Sequence, residues 1–142
     1  ALLAAGNTPW PAPAVLTPHP GEAGRLLGSD SRAVQADRFA SARALAERYA
    51  ATVVLKGNGS LVVAEDGSAG LCAAGNPGMA TGGMGDVLAG LSGGLLAQGL
   101  APASAARLAV SVHAAAADFA AADGQRGLLP SDLFALLRRL LG

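Results

Sequence analysis

The chain is 142 residues long, with no formal net charge, 51% hydrophobic residues and 14% charged ones. That balance fits one globular domain or part of one, excludes an intrinsically disordered segment, and leaves no basic footprint for nucleic acid as a main partner. The most apolar window, Val87 to Leu100, is short and interrupted by Gly90, Gly93, Gly94 and Gly99, which argues against a membrane partner. A single cysteine, Cys72, excludes an internal disulfide and makes a reducing, cytoplasmic location the default. The chain opens Ala-Leu-Leu, without Met or a signal peptide, and reads as a piece of a longer protein.

Residues 1–12 read as a helix end and a Pro-rich connection, with Gly6-Asn7 as the stop signal. Ala14 to Thr17 reads as a short buried strand, which runs into the loop Pro18-His19-Pro20-Gly21-Glu22 and then a short helix to about Leu27. Two prolines stiffen that loop and set His19 and Glu22 at the strand's C-terminal edge. Asp30 or Ser31 can cap a helix over 32–50, with Val34, Phe39, Ala42, Leu45 and Ala46 at helical spacing. Thr52 to Lys56 is a β-branched strand that turns through Gly57-Asn58-Gly59 into a second strand over 60–64. After a turn at Asp66-Gly67-Ser68 a third strand runs over 70–74. Helices follow over 86–100, 103–122 and 131–141, the last with Ser131 as N-cap. This order predicts an α/β layered sheet with helices packed against it, lacking part of one half.

The densest signal is Gly75-Asn76-Pro77-Gly78-Met79-Ala80-Thr81-Gly82-Gly83-Met84-Gly85-Asp86, which runs directly into an apolar helix. Gly82, Gly83 and Gly85 allow a nest of bare N–H groups at a helix start, where phosphate is the natural guest. The run lacks the Gly-Lys-Ser/Thr of the Walker type and the context of the dinucleotide fingerprint. An isolated Gly-Asp before a helix is ordinarily an N-cap, but capping does not call for three neighbouring glycines. Lys56 is the sole lysine beside nine arginines, and its Asn-Gly turn suits both a hairpin and a nucleotide contact. His113, flanked by alanines, reads as a packed core histidine. Asp118, Asp123 and Asp132 read as surface or capping residues. Cys72 has no His or Cys close by in sequence, which argues against a metal site.

The segment from Asn76 to Gly90 resembles the signature of the ADP/ATP-dependent NAD(P)H-hydrate dehydratases, a branch of the ribokinase-like superfamily. Leu16 to Glu22 resembles the family's substrate loop, and Val54 to Ser60 its nucleotide-loop strand. Gly127 to Leu133 matches as well, so the resemblance covers nearly the whole chain in the right order. It implies a ribokinase-like layered sheet with helices on both faces, of which residues 1–142 form the C-terminal part of a carbohydrate-kinase-like domain, the N-terminal part being missing. Half a sheet leaves an unpaired edge, so residues 1–142 alone are expected to be poorly soluble or inactive. The domain is fused behind an epimerase domain in many members. The small-residue helix 86–100 permits close packing against the sheet or a partner subunit, and the second of these would make a homo-oligomer.

The implied reaction is repair: dehydration of the hydrate of NADH or NADPH at the expense of ADP or ATP, with Mg²⁺, releasing AMP and phosphate when ADP is used. The resemblance makes Asp86 the catalytic base, with His19 and Asp86 on the hydrate. Lys56, Gly57, Asn58, Gly59 and Ser60 would hold the AMP portion of the nucleotide, and Gly82, Gly83 and Gly85 the phosphoryl group. Glu22 takes a supporting role. The family most often has Thr where Met84 stands, so a hydroxyl able to reach phosphate is missing while the backbone amides are unaffected. Two other readings share these residues: a small-molecule alcohol kinase of the same superfamily, and a non-catalytic nucleotide-binding fragment.

Overall fold

Four residues, Thr52-Val53-Val54-Leu55, set the centre of the molecule. They are β-branched or apolar throughout and buried on both sides, the pattern of a strand covered on two faces. A computed structural model describes residues 13–142; the helix end and Pro-rich connection expected over 1–12 lie outside the described residues. Strands β1 (Val15–Leu16), β2 (Thr52–Leu55), β3 (Ser60–Val63) and β4 (Ala69–Cys72) form one sheet in the order β1-β2-β3-β4. β1 pairs parallel with β2, while β3 and β4 continue antiparallel. The parallel pair needs a crossover, supplied by α1 (Pro20–Leu27), α2 (Ser31–Ala36) and α3 (Arg38–Tyr49). After β4 come α4 (Met84–Ala97), α5 (Pro102–Ala120) and α6 (Phe134–Leu141), with 3-10 turns at Pro77–Met79 and Pro130–Leu133.

Strand alternation divides the apolar residues between two faces. Val53, Leu55, Leu61 and Val63 pack with Ala23, Val34, Leu45 and Tyr49 from α1, α2 and α3. Val54 and Val62 point the other way, onto Leu88 and Leu95 of α4 and Ala105, Ala109 and Val110 of α5. A third cluster, with Met84, Ala116, Ala117, Leu128, Leu133 and Leu137, ties α4, α5 and α6 together. Helices thus cover both faces, as the layered-sheet reading requires.

Several boundaries differ from the sequence reading. The helix expected over 32–50 is two helices. Asp37 leaves helical geometry at φ −145° and ψ 90°, and its carboxylate accepts a hydrogen bond from the Ala40 N–H to cap α3. A residue able to bond its own downstream backbone stops one helix and starts the next. The break rotates Phe39 off the buried stripe, to 52% exposure. The strand expected over 14–17 shortens to Val15–Leu16, and α4 starts two residues earlier than read. Ser131 does not cap the last helix. The Asp132 carboxylate accepts from the Leu129 N–H at 2.8 Å and turns the chain through the preceding 3-10 turn.

Candidate functional site

The site lies at the C-terminal ends of the parallel strands β1 and β2, where open α/β sheets bind their ligands. Beyond β1, His19 caps α1. Its Nδ1 accepts from the Gly21 and Glu22 N–H groups at 3.0 and 3.3 Å, and the Glu22 carboxylate returns a bond to the His19 N–H at 2.7 Å. This is a capping box with histidine in the usual Ser/Thr place. Because Nδ1 accepts, the ring's proton resides on Nε2.

Beyond β2, Lys56 points its ammonium between two neighbours. Nζ lies 3.7 Å from Glu22 Oε2. On the other side it presses against the first turn of α4, where a Cβ added at Gly85 would lie 2.7 Å from it. Partial burial pushes the Glu22 carboxyl up, but the His19 N–H and the Lys56 ammonium outweigh it and hold the group below its ordinary value. The Lys56 N–H bonds the Pro18 carbonyl at 2.9 Å, which joins the two loops through the backbone as well.

The glycine run is anchored at its start and open at its end. The Asp118 carboxylate on α5 accepts from the Gly75 N–H and from Asn76 Nδ2, both at 2.9 Å. A Cβ at Gly78 would sit 2.5 Å from the Gln125 carbonyl oxygen, so no larger residue fits there. At the far end Gly83, at φ +92°, is the N-cap of α4, and Asp86 is the third residue of that helix. Asp86 is therefore not the N-cap, and its side chain is exposed. Among the described residues, the N–H groups of Gly82, Gly83 and Gly85 donate no hydrogen bond. An ammonium packed on a helix N-terminus beside free amides places positive charge on positive charge, an arrangement completed by an anion.

These loops enclose a cavity of about 790 Å³. His19, Lys56, Gly57, Asn58, Gly59, Ser60, Gly82 and Gly85 all line it, drawn together from three separate connections. Gly83 and Asp86 are not in its wall; Asp86 stands one residue beyond Gly85 in the same helical turn. Among the described residues no three His, Cys, Asp or Glu side chains are grouped to hold a metal ion. The described residues thus offer no cage of their own, which suits a divalent ion that arrives on an anionic ligand.

Sequence reasoning missed three residues. His113 of α5 is buried as expected, yet it lines the cavity and its Nε2 has no partner among the described residues. Burial holds it below the ordinary imidazole value; the Met84 carbonyl opposes this and the Lys56 ammonium adds to it. Asp118 is exposed, in keeping with a surface residue, and its carboxylate also ties the glycine run to α5. Arg38 drew no attention as one of nine arginines, yet it holds the loop after Lys56. No local pattern announces any of these contacts, since each joins residues at least twenty positions apart.

A family model described as NAD(P)H-hydrate dehydratase matches residues 7–139. The bifunctional NAD(P)H-hydrate repair enzyme of Coxiella burnetii is 56% identical over 128 residues, covering 89% of this chain and 26% of that protein. A crystal structure of the ADP/ATP-dependent NAD(P)H-hydrate dehydratase of Bacillus subtilis, co-crystallised with ATP/Mg²⁺, superposes with a TM-score of 0.86 at 33% identity, covering 96% of this chain and 50% of that one. A ribokinase-like superfamily protein of Enterococcus faecalis superposes with a TM-score of 0.80 at 30% identity over 99% of this chain and 49% of that one. The fold is thus ribokinase-like, and the chain spans about a quarter of the bifunctional relative and about half of each solved structure. With the family model matched over almost its whole length, this chain belongs to the NAD(P)H-hydrate dehydratase family.

Proposed function

We propose that this chain carries the nucleotide-binding and catalytic part of an ADP-dependent NAD(P)H-hydrate dehydratase, a hydro-lyase that restores NADH or NADPH from the (6S)-hydrate. The observation that carries the reading is the Lys56 ammonium set against the first turn of α4, beside the unbonded amides of Gly82, Gly83 and Gly85. The names of the relatives support it. Residues 1–142 would form part of one carbohydrate-kinase-like domain, in the cytoplasm and in a homo-oligomer. The description of the Coxiella relative as bifunctional supports an epimerase domain in the same parent chain.

Hydroxide is a poor leaving group and phosphate a good one, which is why a nucleotide is consumed. Asp86 takes the proton from the C6 hydroxyl of the hydrate as that oxygen attacks the terminal phosphorus of ADP. The bond from that phosphorus to the bridging oxygen breaks, and AMP leaves with the electron pair. The Gly82, Gly83 and Gly85 amides and Lys56 hold the charge on the transferring group. The ring nitrogen's lone pair then expels phosphate from C6, and loss of the C5 proton restores the double bond. His19 holds the hydrate, and Lys56 through Ser60 the AMP portion. Bound Mg²⁺ would be held through the nucleotide phosphates and would supply charge screening there.

Asp86→Asn in the full-length protein tests this. Hydrate-dependent phosphate release should fall by about 10²- to 10⁴-fold, while ADP binding by calorimetry stays within twofold (~2) of wild type. Full activity would remove Asp86 as the base. A stable phosphorylated alcohol in place of free phosphate would mark a kinase instead.

A further inference from the structure

Arg38 opens α3, and its guanidinium lies behind the β2–β3 loop. Nη1 donates to the Asn58 carbonyl at 2.9 Å, and Nη2 donates to the carbonyls of Gly59 at 2.8 Å and Leu55 at 3.2 Å. The loop backbone rests on the guanidinium: a Cβ on Gly57 would lie 2.9 Å from Nη2. Among the described residues no carboxylate pairs with Arg38; Nη1 and Nη2 both serve this one turn of backbone, while the buried Nε has no partner among those residues. The Asp37 cap fixes where α3 begins and so where Arg38 starts its reach.

The consequence follows from peptide geometry. In a trans peptide the carbonyl and the following N–H point in opposite directions. A carbonyl drawn onto Arg38 therefore turns the next amide away from it. The pull on Leu55 turns out the Lys56 N–H, which meets the Pro18 carbonyl at 2.9 Å. The pull on Asn58 likewise turns out the N–H of Gly59, a residue that lines the cavity, and the pull on Gly59 sets the chain at its entry into β3, where Ser60 pairs with Cys72. Gly57 and Gly59 sit at φ +154° and +73°, backbone that only glycine adopts freely. A glycine loop of this kind has no stiffness of its own, and ordering it costs about 1–2 kcal/mol per residue unless something holds it beforehand.

We propose that Arg38 is a positioning residue for the nucleotide: it holds the Gly57–Ser60 loop in its binding shape before ADP arrives. The inference rests on the proposed nucleotide role of that loop. Arg38 does not line the cavity, so its loss should act on nucleotide affinity and not on chemistry.

The test uses the full-length protein with Arg38→Met, Arg38→Lys and, as a control on the same helix, Arg48→Met; the Arg48 guanidinium lies over the Tyr49 ring. Arg38→Met should raise the ADP KM and Kd about ten- to a hundredfold by removing preorganisation, with kcat at saturating ADP and the hydrate KM within about twofold of wild type. Arg38→Lys, which keeps the charge but not the fork, should fall between the two. Arg48→Met should match wild type. An unchanged ADP KM in Arg38→Met overturns the proposal, as does a kcat that falls in step with affinity. Should Arg38→Met fail to fold, Arg38→Lys decides: wild-type ADP affinity in that variant overturns the proposal. A wild-type protein that binds no ADP would instead remove the nucleotide reading itself, and the Arg38 proposal with it.

Discussion

His113 is buried to 5% exposure, lines the cavity and leaves Nε2 without a partner among the described residues. Its folded-state value lies below the ordinary 6.5, chiefly through burial and with the Lys56 ammonium adding to it. Between the folded and unfolded values it is the unfolded chain that binds the extra proton, so this group's contribution is intact above pH 6.5 and stability falls as pH drops below it. Melting temperatures at about pH 7.5 and about pH 5.5 should show a larger loss in wild type than in His113→Gln. Equal losses would mean that the imidazole does not sense its surroundings. Glu22 behaves alike in a lower window: its depressed value gives a contribution complete above pH 4.5 and lost as pH falls through the folded value.

At the scale of elements, the helix break at Asp37 shows where sequence was readable and where it was not. The strands and turns over 52–72 stood out because β-branched runs and Gly-Asn-Gly or Asp-Gly turns are local signals. His19 and the Lys56–Ser60 loop could be placed for the same reason, since each sits just past a strand end. The split of α2 from α3 was hidden, because Ser31 to Tyr49 keeps helical composition throughout and the Asp37 bond to the Ala40 N–H outweighs it. On α5 nearly every position is Ala or another apolar residue, so no stripe revealed that His113 and Asp118 face the glycine run. The base assigned to Asp86 came from resemblance alone, and its exposed place on α4 could not be read from spacing. The Asp37 cap can be tested directly. Asp37→Ala removes the bond that starts α3 and should lower stability by about 1 kcal/mol, read as a lower urea midpoint at unchanged m-value. A loss of that size is expected even though the side chain is exposed, because the Ala40 N–H is an orphan donor without it.

At the scale of the whole molecule, the cavity is built across layers. Its walls come from the β1–α1 and β2–β3 loops, from the glycine run that precedes α4, and from α4 and α5. Among the described residues, the direct side-chain link between the β1–α1 and β2–β3 loops is the Lys56–Glu22 contact at 3.7 Å, with Glu22 43% exposed, a geometry worth no more than about 1 kcal/mol. The two loops are thus only weakly tied to each other by side chains, and a ligand touching both would brace them against each other. ADP at about a hundred times its Kd should then raise unfolding free energy by about 2.7 kcal/mol, read as a rise in melting temperature. Lys56→Met should abolish most of that rise by removing the cation against α4. Leu45→Ala should behave oppositely. It opens a hole among α1, α3 and the sheet and should cost about 2–5 kcal/mol, yet leave the ADP increment intact, because Leu45 packs in the cluster away from the cavity. An increment lost in both variants would mean that ADP binding tracks global stability and that the cavity is not independent of the core around Leu45.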